Sequence, residues 1–570
     1  MGPLNKLVFA LGPLSGVPLS GCGRNSVGAK SPLTNAYGEA EVGGFWGAEL
    51  KRAGYDAIIL EGKSSTPCYL WIKDNNVGIR DAAAIWGMEI ADTHAALRRE
   101  LGDGRIRTSI IGPAGENLVR YACIMNDVKH AAGRTGLGAV MGSKNLKAIA
   151  VRGTRMPEVA DKETIRGLQK WIANNFKSRT HLWKYGTGAD IEGYNLTGNL
   201  PVKNYKKGYF NHAREISARR LSDIFTDKMG TCHSCVVRCK KEVYGTTATI
   251  PIDPAYGGPE YETIAQFGSN CMVDDPEVIC KAHELCNRYG MDTISAGGTI
   301  AFAMECFENG LLTTSDTNGI ELSFGNAQAL LDTLSLIAHK KGIGALLAEG
   351  SRRAARKIGN GAEAFAMDVK GLELAMHEPR LMKGMGLHYS VHATGADHVT
   401  GVFDTHLSKD TVKVENWQMV DSSAAPVPPD ELSPRKVNML YRVELWSQLL
   451  NSLVLCAFVP YRYDQIRDAV RAVTGWSLSY EALMKCTERS IALMRIFNLR
   501  EGFNRSDDRL PDRFAEPPEE GALADESINP PELAEMQEIY YQLMGWDYQG
   551  KPTNAKLDEL DIRWAEEYLN

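Results

Sequence analysis

The hydrophobic pattern changes character near residue 156. Before that point, apolar residues fall in short runs rich in β-branched and aromatic side chains. Residues 57–61 (Ala-Ile-Ile-Leu-Glu), 68–72 (Cys-Tyr-Leu-Trp-Ile) and 148–151 (Ala-Ile-Ala-Val) are bounded by turn formers and read as strands. One helix, over residues 92–100, falls between them. Beyond 156 the period becomes helical. Val278, Ile279, Ala282, Leu285, Cys286 and Tyr289 line one face. Asp275-Pro276-Glu277 opens that helix with proline at its first position, and Gly290 closes it. The same period predicts helices over 330–339, 344–357 and 440–455, and a last one over 531–544. Residues 424–434 are Pro-rich and polar, which predicts a surface loop, and residues 511–531 are acidic and Pro-rich. The order predicts an α+β fold: a β-rich platform domain over 1–155, then mainly helical domains over 156–366 and 367–570.

Length and charge narrow the class. A chain of 570 residues exceeds what one core holds. A net charge of −6 without a Lys/Arg block excludes a nucleic-acid partner, and no apolar run is long enough for membrane insertion. Leu19-Ser-Gly-Cys22 mimics a lipoprotein cleavage box. Lys6 is its whole positive region, however, and Pro13 and Pro18 interrupt the apolar segment, so no export signal is read there. Free thiols without such a signal fit a reducing cytoplasm. Gly133-Arg-Thr-Gly136-Leu-Gly138 is not a dinucleotide fingerprint, and Gly138-x3-Gly142-Ser-Lys144 misses the P-loop spacing. These glycines allow close backbone approach, either in sheet packing or to another phosphate-bearing ligand.

The chemistry is in the cysteines. Cys232-x2-Cys235-x3-Cys239 packs three thiols into eight residues, and Cys456 follows far downstream. Three close thiolates and a remote fourth suit a [4Fe–4S] cluster. A structural zinc site is the competing reading, and a disulfide framework does not suit a chain of this size. Cys271, Cys280, Cys286 and Cys306 sit in apolar runs and read as core residues.

Across nearly its whole length the chain resembles the tungsten-containing aldehyde:ferredoxin oxidoreductases. The resemblance is carried by Gly12-Pro-Leu-Ser-Gly16, Lys30-Ser-Pro-Leu-Thr34, residues 43–58, Gly112-Pro-Ala-Gly-Glu-Asn117, residues 131–134 and 138–147, Gly258-Pro-Glu-Tyr-Glu262, and the four cysteines. It implies one tungsten, or molybdenum, held between two pterins, beside a [4Fe–4S] cluster on Cys232, Cys235, Cys239 and Cys456. Arg24 would link a pterin to the cluster. Gly43, Ala131 and Gly133 would approach the pterin phosphates and a bridging Mg²⁺. Glu262 and His398 would be the acid–base pair beside the metal. Histidine would donate to the substrate carbonyl, and the glutamate, made more basic by a dry pocket, would take a proton.

The chain also departs from the pattern. The two Asp-x-x-Gly-Leu pterin motifs read Asn287-x-x-Gly290-Met-Asp292 and Asn451-x-x-Val454-Leu455, so neutral amides replace both leading carboxylates. His130 stands where an arginine is expected. The chain begins where relatives have already run a few dozen residues, which would leave a sheet edge uncovered. The function implied is anaerobic oxidation of an aldehyde to its acid with water. Electrons would leave singly to ferredoxin or an iron–sulfur subunit, from a homodimer or larger complex. The alternatives are the low-potential reductive branch, acting on acids or aromatic acyl thioesters, and a non-catalytic electron-transfer subunit.

Overall fold

The computed structural model describes residues 1–244, 250–401, 403–409, 411–419, 422 and 424–569. Two sheets form the N-terminal part. One is antiparallel, in the order β3-β2-β1-β4, from β1 (Leu7–Ala10), β2 (Asn25–Lys30), β3 (Tyr37–Val42) and β4 (Ala57–Leu60). The other has six strands in the order β6-β5-β10-β7-β8-β9: β5 (Cys68–Lys73), β6 (Asn76–Asp81), β7 (Arg107–Ile110), β8 (Ile124–Asn126), β9 (His130–Ala132) and β10 (Leu146–Arg152). Only β5 and β10 pair in parallel. The period of two decides the layers. Cys68, Leu70 and Ile72 of β5, with Ile149 and Val151 of β10, pack against Leu7, Phe9 and Val27 of the first sheet. Tyr69 and Ala148 point the other way, onto Ile90 and Leu97 of the helix Ile90–Leu101. The edge strands β4 and β6 expose Ile59, Val77 and Ile79.

The glycines at 136–142 serve this packing. A Cβ on Gly136 would lie 1.8 Å from the Arg120 carbonyl oxygen, and one on Gly142 2.0 Å from that of Gly115. They allow the helix Leu137–Ser143 to lie on neighbouring backbone, so of the two readings the structure favours packing for them.

The remainder is mainly helical, in the order that the sequence predicts. Asp275 caps Pro276–Tyr289 through the amides of Glu277 and Val278, and Gly290 ends it at φ 75°. Cys271, Cys280, Cys286 and Cys306 are buried core residues. Four expectations need correction. Residues 344–357 are not one helix but two, Ile343–Leu347 and Ser351–Ile358. Gly350 breaks them at φ 85°, where a Cβ would meet Leu33 of the sheet domain at 2.5 Å. The helix read at 440–455 is Pro434–Ser452, started by Ser433 accepting from the Lys436 amide. The segment at 424–434 is not purely surface, because Ala424 and Val427 are buried. Finally, Pro530–Leu543 is followed by one more helix, Asn554–Glu559.

A buried charge network ties the C-terminal helices to the core. Asp508 accepts from Lys370 at 2.7 Å, Arg495 at 2.8 Å and the Tyr541 hydroxyl at 2.5 Å, and both Asp508 and Lys370 have fully buried side chains. Removing one partner of a buried pair strands the other charge. Asp508→Asn is therefore expected to lower the unfolding free energy by about 3 kcal/mol, checked by denaturant unfolding of the purified variant.

Candidate active site

A two-stranded hairpin, β11 (Thr226–Gly230) with β12 (Lys240–Tyr244), presents the loop that carries Cys232, Cys235 and Cys239. Cys456 arrives from the end of the helix Pro434–Ser452, its amide bonded to the Gly21 carbonyl at 3.2 Å. The four cysteines line one cavity together with Gly21, Gly23, Arg24 and Lys240. The turn at 21–23 must be small. A Cβ on Gly23 would lie 2.6 Å from His233 Cβ, and one on Gly43 3.0 Å from Cys232 Sγ. Among the described residues, no group of three ligand atoms within 4.8 Å of one another includes a cysteine. Tetrahedral zinc–thiolate bonds would bring the sulfurs to about 3.8 Å. Four thiols around one cavity supply the ligand number of a [4Fe–4S] cluster.

The charges around the cavity fit as well. Arg24 Nη1 lies 3.9 Å from Cys456 Sγ, and its Nη2 donates to the Glu41 carbonyl at 2.9 Å. Lys240 follows Cys239 directly and pairs with Glu260. Burial pushes the Cys235 thiol up to about 11, and Cys232 and Cys239 are also raised by burial. Buried thiolates are costly alone; Arg24 and Lys240 beside them offset part of that cost, and bound iron would offset more.

Glu262 sits near the start of the helix Tyr261–Phe267. Its Oε2 accepts from the Met376 amide at 2.8 Å. Its Oε1 lies 3.1 Å from His377 Nε2 and 3.7 Å from His398 Nε2. Neither imidazole is aligned to hydrogen-bond Oε1, and the Nδ1 atoms of both are buried without partners. The chain at 374–377 is held from three sides: Gln266 Nε2 donates to the Leu374 carbonyl at 2.9 Å, Tyr205 to that of Ala375 at 2.6 Å, and Tyr261 to that of Met376. Arg134 Nη1 fixes the loop before His398 through the Ala396 carbonyl at 2.6 Å.

The sequence pairs Glu262 with His398, and the structure brings them together. It adds His377, which the sequence reading missed; its one signal is a histidine in the buried Ala375-Met-His-Glu-Pro-Arg380 stretch. The expectation that the pocket makes Glu262 more basic is reversed. Burial does oppose its charge, but His398, His377 and the Met376 amide outweigh burial and hold the carboxyl at about 2. Burial lowers His398 below its ordinary value, against the pull of Glu262.

The residues assigned to the pterins divide into two groups. Around Gly43, three buried polar atoms have no partner: Asn25 Nδ2, Asn126 Oδ1 and His130 Nδ1. Burial, aided by Lys240, Lys129, Arg107 and Arg24, pushes His130 down to about 3. Unfilled polar atoms beside a crowd of cations suit an anionic, hydrogen-bonding ligand. Ala131 is exposed, and a Cβ on Gly133 meets nothing nearer than 4.0 Å. The other group already has protein partners. Asn287 donates to the Tyr256 carbonyl at 2.8 Å. Asp292 caps Thr293–Glu308 through the amides of Ile294 and Ser295. Asn451 Nδ2 lies 3.5 Å from Glu39 Oε1. Leu455 is buried against Gly21. Val454, where the pterin pattern has glycine, holds φ 52°, a strained conformation for a β-branched residue.

Among the described residues, no helix is long and apolar enough to cross a membrane. Comparison with known proteins agrees with the geometry. The model of the aldehyde ferredoxin oxidoreductase N-terminal domain matches residues 1–153, and that of domains 2 and 3 matches residues 163–562. A tungsten-containing aldehyde ferredoxin oxidoreductase of Pyrococcus furiosus is 38% identical over 575 residues, covering 99% of this chain and 91% of the relative. The WOR-like subunit of an aliphatic sulfonate oxidoreductase from the same organism is 33% identical, covering 99% and 89%. Among solved structures, the active-site complex BamBC of benzoyl coenzyme A reductase, bound to 1,5-dienoyl-CoA, matches with a TM-score of 0.81 and 27% identity, covering 99% of this chain and 90% of that one. The chain belongs to the aldehyde ferredoxin oxidoreductase family.

Proposed function

We propose that this chain oxidises an aldehyde to its carboxylic acid at a tungsten–bis-pterin centre. The observation that carries the reading is the joining of two sites. Four cysteines from distant segments line one cavity with Arg24, and the chain runs from Cys239 through the Lys240–Glu260 pair into Glu262. Cys232, Cys235, Cys239 and Cys456 would hold a [4Fe–4S] cluster. Arg24, Gly43, Asn25, Asn126, His130 and residues 131–133 would hold the pterins and a Mg²⁺ on their phosphates. When bound, the metal accepts the electron pair and the cluster passes it on singly. Ferredoxin or an iron–sulfur subunit would receive it.

The overall change is aldehyde plus water to acid, two protons and two electrons. The chain's own residues handle the protons. Glu262 is the standing negative charge of the pair: burial opposes its ionisation, and His398, His377 and the Met376 amide favour it. His398, neutral because burial lowers it, is the better acceptor, and the carboxylate 3.7 Å away stabilises the imidazolium that results. The sign for pH follows. The acceptor works while neutral, so kcat/KM should hold as pH falls to about 6.5 and decline only below it. An acid limb centred above 6.5 would contradict this assignment.

The deciding experiment is elemental analysis and turnover of the anaerobically purified chain. About one tungsten or molybdenum and four iron per chain, with aldehyde-dependent reduction of ferredoxin or viologen, is the expected result. Iron without tungsten or molybdenum would favour an electron-transfer subunit. Turnover only with an acyl thioester and a low-potential donor would favour the reductive branch.

A further inference from the structure

A second cluster of ligating side chains lies apart from Glu262, His377 and His398. His388 and His392 are four residues apart at the end of the helix Lys383–Val391, and Glu444 faces them from Pro434–Ser452. All three are buried, and one ligand atom from each lies within 4.8 Å of the others. His388 Nδ1 and Glu444 Oε1 face each other at 3.6 Å. Both are buried atoms without a hydrogen-bond partner. Two such atoms are costly unless something between them fills both.

We propose that His388, His392 and Glu444 form a binding site for a first-row divalent cation of the zinc class. The distances fit. Ligand atoms about 2.1 Å from a common ion and 3.6 Å apart subtend a little under 120°. The donor set of two imidazoles and one carboxylate suits zinc or ferrous iron over magnesium or calcium. The outer contacts are those that orient such ligands. Thr400 Oγ1 lies 3.3 Å from His388 Nε2 and Asp397 accepts from Thr400 at 2.5 Å, which leaves His388 Nδ1 to ligate; His392 is held by Thr400 through Nε2 at 3.2 Å and by Thr394 through Nδ1 at 2.9 Å, so a bound ion would displace one of those two contacts. The Tyr540 hydroxyl donates to the second Glu444 oxygen at 2.6 Å, leaving Oε1 free. Burial keeps both imidazoles in the neutral form that ligates. Binding would displace the proton that burial favours on Glu444 and would join two helices without touching Glu262.

The test uses the full-length chain, equilibrated with Zn²⁺ and freed of excess by gel filtration. Zinc and iron per chain are measured for the wild type, Glu444→Gln, His392→Asn and Glu262→Gln, and zinc-edge X-ray absorption is recorded on the wild type. The expected result is one bound zinc with nitrogen and oxygen ligands. It should fall at least tenfold in Glu444→Gln and His392→Asn, persist in Glu262→Gln, and leave cluster iron unchanged. No zinc uptake overturns the proposal, as do sulfur ligation, loss in Glu262→Gln, or retention in both site variants. If both site variants fail to fold, retention in Glu262→Gln together with imidazole-type ligation in the wild type supports the site, and either result reversed sinks it.

Discussion

Glu262→Gln should lower kcat by about 10²–10⁴-fold while leaving iron and tungsten content, and to a first approximation KM, unchanged. The amide keeps the size of the side chain and can still accept from the Met376 amide, which is 2.8 Å from Oε2 in the native chain. It loses the charge. In the native site one oxygen faces two imidazoles, at 3.1 and 3.7 Å, in a largely buried setting, where a charge counts for more than it does at the surface. Without it, a proton arriving on His398 loses the Glu262 counter-charge and keeps only that of Asp397. The variant should therefore move the acid limb of the pH profile as well as kcat, which a purely structural role would not do. Steady-state kinetics across pH on the metal-loaded enzyme checks both. A native kcat in a variant with full metal content would remove Glu262 from the acid–base chemistry.

Cys456→Ser should have an effect as large by a different route. Serine keeps the backbone bond from residue 456 to the Gly21 carbonyl, so the loop retains its anchor while one of four cluster ligands is lost. Iron should fall below the four per chain of an intact cube, and aldehyde-dependent ferredoxin reduction should fall to background. The same loss removes one of two partners of Arg24, which faces Cys456 Sγ at 3.9 Å and keeps its bond to the Glu41 carbonyl, so tungsten retention should also weaken. Iron and tungsten analysis with electron paramagnetic resonance of the reduced protein reads this out. Four iron and a native signal in the variant would mean that Cys456 is not a ligand.

These expectations separate what was legible in the chain from what was not. The strands at 57–61, 68–72 and 148–151 and the capped helix at 276–289 follow from neighbours within a few residues, and periodicity and caps record those. The break at Gly350 does not, because its cause is the Leu33 side chain from the other end of the chain. The close cysteine spacing and the lone Cys456 indicated four ligands of one centre, and the resemblance strengthened that reading; the tertiary structure seats all four around one cavity with Arg24.

By itself the sequence determined the order of sheet and helix, the cysteine set, and the family whose motifs the chain carries. The tertiary structure alone decided that His377 joins Glu262 and His398, that Asn287 and Asp292 already have protein partners, and that Glu262 is held ionised rather than made basic. The reason is physical. A carboxyl's affinity for its proton is set by the charges and donors within a few ångströms of it. For Glu262 these come from residues 376, 377 and 398, which only the fold brings near.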